Sequence, residues 1–349
     1  MNSSTTLSPG STANLTTQPG SWFANDASLT SWISLTLLLV GAGLACGIWW
    51  GRRRSAKLAA EAALKSPELD LDMRLGRLRR TEIHIDEQNI GLAWREIGHG
   101  PSILCLHGIG ASMLIWRRFV PLLAGQFRTV CVDWPGFGNS DKPTSLSYGL
   151  DQQSKALELF LEREFSRMTP PLVLASSMGG AIALHLAARR PELIRGLIAI
   201  APATDPQRIP RLFLSLSRWG QHLARLHSMR LVQQIVNLVM ARRELITPEL
   251  VALYHRPFRE DPRCGAAFFK ALHLLADPRM PTSFMNLPVP LLIIRGDRDT
   301  LVRNESMKTL ATLNPQARVV NHPAAGHHVM EDEPEWLADK TQHFMQQLN

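Results

Sequence analysis

The sequence of 349 residues is poor in cysteine and in the short motifs that hold metals and nucleotides. It has four cysteines, and they lie far apart without any CxxC pair: Cys46, Cys105, Cys131 and Cys264. This spacing argues against a disulfide framework and against a structural zinc site. The patterns GxxxxGK[ST], HExxH and the dinucleotide fingerprint are also missing. We therefore predict a protein that uses neither a metal nor a cofactor.

Acidic residues are fewer than basic ones, with 30 Asp and Glu against 38 Lys and Arg, which leaves a formal net charge of +8. A basic chain favours anionic surfaces such as phospholipid or nucleic acid, although basicity alone names no partner. Hydrophobic residues make up 45% of the chain and charged residues 19%. A fully disordered polymer is excluded, and most of the chain is expected to fold.

Charge is nearly absent from the N-terminal region, where Asp26 is the only charged side chain before residue 52. Residues 1–30 are rich in Ser, Thr, Asn and Gly, which predicts a disordered polar tail. The following stretch runs uncharged to residue 50 and as a helix would extend about 28 Å, close to the hydrocarbon thickness of a bilayer. We predict a transmembrane helix over residues 31–50.

The flanks of this stretch predict its orientation. Trp32, Trp49 and Trp50 fit interfacial aromatic belts, and three arginines follow at residues 52–54. Because positive charge favours the cytoplasmic side, we expect the N-terminus outside and the C-terminal part in the cytoplasm. A cleaved signal peptide would carry its bases before the apolar run, and a buried core helix is rarely apolar on every face.

Residues 51–80 mix nine bases with four acids. They predict a basic juxtamembrane linker near anionic head groups, or else a plain solvated spacer. From Thr81 onward, short β-branched runs alternate with helical stretches, which is typical of βα units around a mostly parallel sheet. We expect eight strands in an α/β domain over residues 81–349, with a helical insertion at about 203–286.

A strand, a turn of small residues and a helix follow one another in LVLASSMGGAIALHLAARRP, residues 172–191. A nucleophile elbow needs this context, because its tight turn tolerates only small neighbours. Ser177 is the candidate nucleophile, and the chain departs from G-x-S-x-G by one methyl group, at Ala175. Ser176 fits less well, because Met178 would then occupy a position that must be small.

Residues 81–349 resemble the α/β-hydrolase fold superfamily, in its lipase- and esterase-like branch with a helical lid. LCLHGIGAS (104–112) is similar to the H-G-x-G loop of that family. The resemblance implies an oxyanion hole made by the backbone N–H groups of Ile109 and Met178. It also implies that His107 holds the loop and takes no part in catalysis.

Three further segments resemble family motifs. DWPGFGNSDKP (133–143) is similar to a structural turn, so Asp133 is expected to shape the backbone. VPLLIIRGDRDTLV (289–302) ends in a turn whose last position carries the family's acid, which makes Asp299 the candidate and Asp297 the fallback.

AAGHHVMEDEPEWL (324–337) matches the family's histidine at His327, with His328 as the neighbour to rule out. A serine hydroxyl needs a base, and the base needs an acid that fixes its tautomer. The chain order Ser177, Asp299, His327 is the order expected of these hydrolases. Epoxide hydrolases and haloalkane dehalogenases carry an aspartate at the elbow, so the serine argues against both.

Residues 206–243 hold seven arginines and no acid, interleaved with apolar side chains. Such a stretch can lie in a membrane interface, or it can roof an acyl pocket while its arginines are merely solvated. We expect a membrane-anchored serine hydrolase without a nucleic-acid partner. Resemblance to membrane-anchored monoacylglycerol lipases points to amphiphilic, lipid-derived monoesters. Carbon–carbon bond hydrolysis, thioester hydrolysis, perhydrolysis and a non-catalytic ligand-binding role remain alternatives.

Overall fold

The computed structural model describes residues 74–205, 214–215, 219, 222, 228–280 and 284–348. The predicted tail, the predicted transmembrane helix and most of the predicted linker lie outside these residues. Within the part that is described, no helix combines the length and the apolar character that a membrane span requires. All described residues belong to one unit, Gly43–Asn349.

Eight strands form a single sheet in the order β1-β2-β4-β3-β5-β6-β7-β8. Strand β2 runs antiparallel to both of its neighbours, and the remaining pairs are parallel. The expected eight-stranded, mostly parallel sheet is confirmed. In chain order the strands are β1 Arg77–Ile85, β2 Gln88–Ile97, β3 Ser102–Leu106, β4 Arg128–Val132, β5 Leu172–Ser176, β6 Gly196–Ile200, β7 Leu291–Gly296 and β8 Arg318–His322.

Helices follow or precede most strands, as parallel connections require. The helices of the described residues include α1 Leu150–Glu164, α2 Met178–Arg189, α3 Met229–Val239, α4 Pro248–Glu260, α5 Arg263–Leu275, α6 Asn304–Leu313, α7 Val329–Asp332 and α8 Pro334–Gln347. Helices α3, α4 and α5 lie between β6 and β7, so the described part of the expected insertion is helical. Thr247 caps α4 by accepting a hydrogen bond from the Leu250 amide, and Pro248 occupies its first turn.

The central strands β3, β5, β6 and β7 are buried along their whole length, because helices cover both faces of the sheet. Alternate side chains of one strand enter different apolar clusters. Leu104 and Leu106 of β3 belong to one cluster, and Ile103 and Cys105 belong to the other. A third, smaller cluster lies within the insertion, between α3 and α4.

Strand β1 begins at Arg77, four residues before the expected start of the domain at residue 81. Its first four side chains are exposed, so the sequence pattern there is typical of a charged linker. Contacts with β2 and with the loop that carries Asp141 stabilise the start of the strand. Arg79 lies over the ring of Trp94, and Arg80 pairs with Asp141.

Candidate active site

The turn after β5 forces Ser177 into an unusual backbone conformation, with φ 53° and ψ −118°. Non-glycine residues rarely adopt a positive φ, and such strain persists only where the surroundings impose it. The Ser177 amide donates to the carbonyl of Ile200 at 2.9 Å, and its own carbonyl accepts from the Ala203 amide at 3.1 Å. Strand β6 and the segment after it therefore hold the turn in place.

The two glycines after this turn have no room for a side chain. A Cβ on Gly179 would lie 2.6 Å from the carbonyl oxygen of His107, and one on Gly180 would lie 2.7 Å from Cβ of Pro202. The requirement for small neighbours, inferred from the sequence, is therefore steric. Ser176, by contrast, is the last residue of β5 and is fully buried, and its hydroxyl has no hydrogen-bond partner among the described residues.

The loop after β3 passes directly over Ser177. A Cβ on Gly108 would come within 3.0 Å of Cβ and 3.6 Å of Oγ of that serine. Neither the Ile109 amide nor the Met178 amide donates a hydrogen bond to another described residue. Met178 opens helix α2, where N–H groups have no intrahelical acceptor. Met178 directly follows the serine, Ile109 follows Gly108 in the loop above it, and neither amide has an acceptor among the described residues.

His107 anchors this loop. Its Nε2 accepts a hydrogen bond from the Trp134 amide at 3.2 Å, which leaves the proton on Nδ1, 2.7 Å from the carbonyl oxygen of Gly108. Burial lowers the pKa of His107 to about 4, so the ring is neutral. The Trp134 indole donates to the His107 carbonyl oxygen at 2.8 Å. These contacts fit the structural role expected of this histidine.

Asp299 and His327 form a buried hydrogen-bonded pair. Nδ1 of His327 lies 2.9 Å from Oδ2 of Asp299, and the two residues are 4% and 6% exposed. The other carboxylate oxygen accepts from the amides of Leu301 and Val302. Burial alone would raise the pKa of Asp299, but the charge of His327 and these hydrogen bonds outweigh it and hold that pKa below its ordinary value.

Close packing of the two loops brings this pair together. Gly296 ends β7, and a Cβ there would lie 2.1 Å from the Ala325 carbonyl oxygen and 2.3 Å from that of Gly326. The turn that carries Asp299 therefore presses against the loop that carries His327.

The fallback acid Asp297 and the aspartate expected to shape a turn, Asp133, make other contacts. Asp297 is half-exposed and bonds with Asn321, away from His327. Asp133 accepts hydrogen bonds from the amides of Met113 and Asn139, and burial raises its pKa to about 6. It therefore joins two backbone segments, as expected of a turn-shaping residue.

Ser177, Asp299 and His327 follow β5, β7 and β8. The carboxyl ends of these parallel strands meet at one edge of the sheet, where α/β proteins place their ligands. The hydrogen bonds of the described residues join Asp299 to His327 but include none from the Ser177 hydroxyl. Catalytic hydrogen bonds are often long in unliganded sites. The strand order therefore places all three residues at the same edge of the sheet, and a hydrogen bond joins Asp299 to His327.

The insertion closes over the site. A Cβ on Gly110 would lie 3.1 Å from the ring of Phe268, which meets Phe258 edge to face at 6.4 Å between ring centres. Ser177 is only 8% exposed. The aromatic residues of α4 and α5 therefore cover the loop that carries Ile109, one of the two candidate oxyanion donors.

Sequence reasoning named His328 only as a neighbour to rule out, and it missed the polar residues that His328 contacts. His328, Tyr254, Glu331 and Arg117 form a continuous set of contacts beside the candidate pair. Tyr254 lies 74 positions from His328 along the chain, and Arg117 lies 214 positions from Glu331. No local motif signals contacts between such distant positions.

A strained serine, two amides without an acceptor among the described residues, and a buried Asp–His pair on a mostly parallel sheet are the features of a hydrolase-type site. The sequence pattern of the alpha/beta hydrolase fold family matches residues 101–334. This chain belongs to that family, because the match covers more than half of its length.

Known proteins of this family include named esterases. The pimeloyl-[acyl-carrier protein] methyl ester esterase of Aeromonas hydrophila is 28% identical over 255 residues, which is 71% of this chain and 96% of that protein. An uncharacterised hydrolase of Bacillus subtilis, YugF, is 26% identical over 254 residues, 70% of this chain and 89% of its own. This kinship fits a carboxylic ester hydrolase.

Among solved structures, a membrane phospholipase A described as a bacterial virulence factor superposes with a TM-score of 0.66. It is 26% identical, and the match covers 91% of this chain and 98% of that one.

Proposed function

We propose that this protein is a membrane-anchored serine hydrolase that cleaves carboxylic esters of lipid origin. The observation that carries the proposal is the buried hydrogen bond between Asp299 and His327, at the sheet edge that also holds the strained Ser177. A carboxylate in this position fixes the imidazole tautomer with its proton on Nδ1 and stabilises the ring when it becomes charged.

In the proposed reaction, His327 removes the hydroxyl proton through Nε2 while Ser177 attacks the ester carbonyl. The amides of Ile109 and Met178 stabilise the oxyanion that forms. His327 then returns the proton to the leaving alcohol, and water releases the acyl group from the serine by the same steps in reverse order. No step calls for a metal or a cofactor.

The lipid substrate is proposed on two grounds. One solved structure with 26% identity, whose match covers 91% of this chain, is named a membrane phospholipase A. The uncharged stretch at residues 31–50 would in addition hold the enzyme at a bilayer, where amphiphilic esters are concentrated. A lipid-derived monoester is the substrate that we favour, with the catalytic domain on the cytoplasmic side.

The direction of strand β1 sets how far the residues between the predicted membrane helix and the domain must reach if the site is to face the bilayer. Strand β1 runs in the same direction as the parallel strands, so Arg77 lies at the end of the sheet opposite the candidate site. At about 3.3 Å per residue, a strand of this length extends roughly 30 Å. A chain of 23 residues, the length of the segment 51–73, can span at most about 80 Å when fully extended, which is enough for the site to face a bilayer.

A fluorophosphonate probe tests the reaction class, because it reacts with activated serines. The wild-type protein should be labelled, Ser177→Ala should not be, and Ser176→Ala should be labelled like the wild type. Ser176 is the matched control, since it is the adjacent serine and is fully buried. Labelling that survives Ser177→Ala would refute the proposed nucleophile.

Deleting residues 1–55 tests the role of the membrane. Turnover of a long-chain ester dispersed in bilayers should fall more than turnover of a short soluble ester. Equal effects on both substrates would dispose of the membrane proposal and leave the esterase proposal intact. Protease treatment of sealed vesicles tests the orientation of the protein in the membrane. Digestion of the catalytic domain from outside would contradict the proposed cytoplasmic location of that domain.

A further inference from the structure

Tyr254 of helix α4 connects the insertion to the loop that carries His327. Its hydroxyl lies 2.8 Å from Nδ1 of His328 and 3.3 Å from Oε1 of Glu331. The side chain also packs against two apolar clusters, one beside the sheet and one inside the insertion. This one side chain therefore contacts both parts of the molecule.

The proton positions in this group follow from its charges. The Glu331 carboxylate is fully buried and pairs with the guanidinium of Arg117. Burial, together with the charge of Glu331, raises the pKa of Tyr254 well above its ordinary value, so the hydroxyl keeps its proton. Burial raises the pKa of Glu331, and the guanidinium of Arg117 opposes this and favours the carboxylate. A carboxylate only accepts hydrogen bonds, so Tyr254 donates to Glu331. Its oxygen then accepts the Nδ1 proton of His328.

His328 lies directly beside the candidate base. Its ring stacks on that of His327, with 5.6 Å between centres and 28° between planes. Burial lowers the pKa of His328 to about 3, so this ring is neutral and does not compete for the serine proton. A shift of the His328 ring would displace the neighbouring imidazole.

Backbone contacts hold the same loop to the end of α3. The His328 amide donates to the Val239 carbonyl oxygen at 2.8 Å. Asp332 accepts from the amides of Ala241, Arg242 and Gly326 at 2.7–3.0 Å. The loop is therefore fastened to the insertion at two places, and Tyr254 is the side-chain link of α4.

We propose that Tyr254 is a positioning residue for His327: by fixing His328 and Glu331 through its hydroxyl, it makes the alignment of the base depend on the docking of helix α4. This inference rests on the proposed function. A base displaced by about 1 Å can lose up to a hundredfold in rate.

Tyr254→Phe tests this inference in the full-length protein with a short soluble ester. We expect kcat per titrated active site to fall at least tenfold, while KM stays within twofold and the number of sites titrated by fluorophosphonate is unchanged. Tyr148→Phe is the matched control, because it removes the hydroxyl of the other tyrosine, which bonds to the Pro143 carbonyl oxygen. It should leave kcat within twofold.

His328 gives a second pair of variants in case Tyr254→Phe folds poorly. An asparagine places an amide near the position of Nδ1, so His328→Asn should keep most of kcat, while His328→Leu should match Tyr254→Phe. The double variant Tyr254→Phe/His328→Leu should be no slower than either single variant, because both substitutions remove the same hydrogen bond between Tyr254 and His328.

A wild-type kcat for Tyr254→Phe, additive losses in the double variant, or an equal loss in Tyr148→Phe would each overturn the positioning role. Absence of probe labelling in the wild-type protein would refute the proposed function instead, so the two failures are distinguishable.

Discussion

The elbow at the end of β5 and the insertion between β6 and β7 shape the same site in different ways. At the elbow, the determining contacts are steric: Gly179 and Gly180, close to Ser177 in the chain, leave no room for a side chain against His107 and Pro202. In the insertion, they are hydrogen bonds between distant positions, such as Tyr254 and His328. Small side chains beside the serine are therefore visible in the sequence, whereas the polar contacts that join α4 to the loop of His327 connect positions far apart in the chain.

The largest expected effect lies at the carboxylate that contacts His327, outside both the elbow and the insertion. Asp299→Asn should lower kcat by about 10⁴-fold, because an amide favours the wrong imidazole tautomer. The backbone amides of Leu301 and Val302 can still bond to the remaining oxygen, so the protein should fold. Steady-state kinetics on a soluble ester check this. The matched control is Asp297→Asn. A loss of similar size in that variant would assign the role of the acid to Asp297 instead.

Gly296→Ala should produce the next largest effect, on stability. The added methyl group would lie 2.1 Å from the carbonyl oxygen of Ala325, and the backbone there cannot move cheaply. We expect a loss of about 3 kcal/mol in the free energy of unfolding, measured with urea. A methyl group on Gly125 meets nothing within 4 Å, so Gly125→Ala should change stability by less than about 0.5 kcal/mol. Equal losses would show that the close approach of the two loops does not matter.

Two buried histidines, His107 beside the elbow and His328 beside the insertion, should make the protein less stable in acid. The pKa values of His107 and His328 lie near 4 and 3 when folded, whereas an unfolded histidine has a pKa of about 6.5. The unfolded chain therefore binds more protons below pH 6.5, and stability falls as the pH falls. Each histidine should cost about 2 kcal/mol at pH 5.

Asp133 offsets part of this loss, because burial raises its pKa to about 6 and the folded state takes up its proton first. Urea unfolding of the wild type and of His328→Asn at pH 7 and pH 5 measures the contribution of His328 to the pH dependence of stability. The variant should lose about 2 kcal/mol less on acidification. Identical pH dependence would mean that His328 is not held neutral.

The smallest effect is expected at Ala175, where the chain departs from the family's glycine. The alanine is fully buried within β5, paired with Leu106 on one side and Ala199 on the other. Ala175→Gly should cost about 1 kcal/mol of stability, since glycine loses more backbone entropy. Its kcat should stay within twofold. A tenfold change in kcat would show that this methyl group shapes the elbow.

The sequence predicted most of the sheet, because apolar runs of five or six residues bounded by turns are local signals. It also predicted the positions that meet in the Asp299–His327 contact, since each follows a strand and parallel strands end at one edge. The start of β1 escaped detection because Arg77 and its neighbours are exposed and stabilised by contacts with other strands. Tyr254 and Glu331 escaped detection because their partners lie in other elements.

The most direct test of the account is to locate the covalent adduct that a fluorophosphonate forms with the wild-type protein. Trypsin should release the segment between Arg167 and Arg189, which contains both elbow serines. Fragment masses should place the adduct on Ser177. An adduct on Ser176, or on a serine outside this segment, would contradict the assignment of the nucleophile and the mechanism built on it.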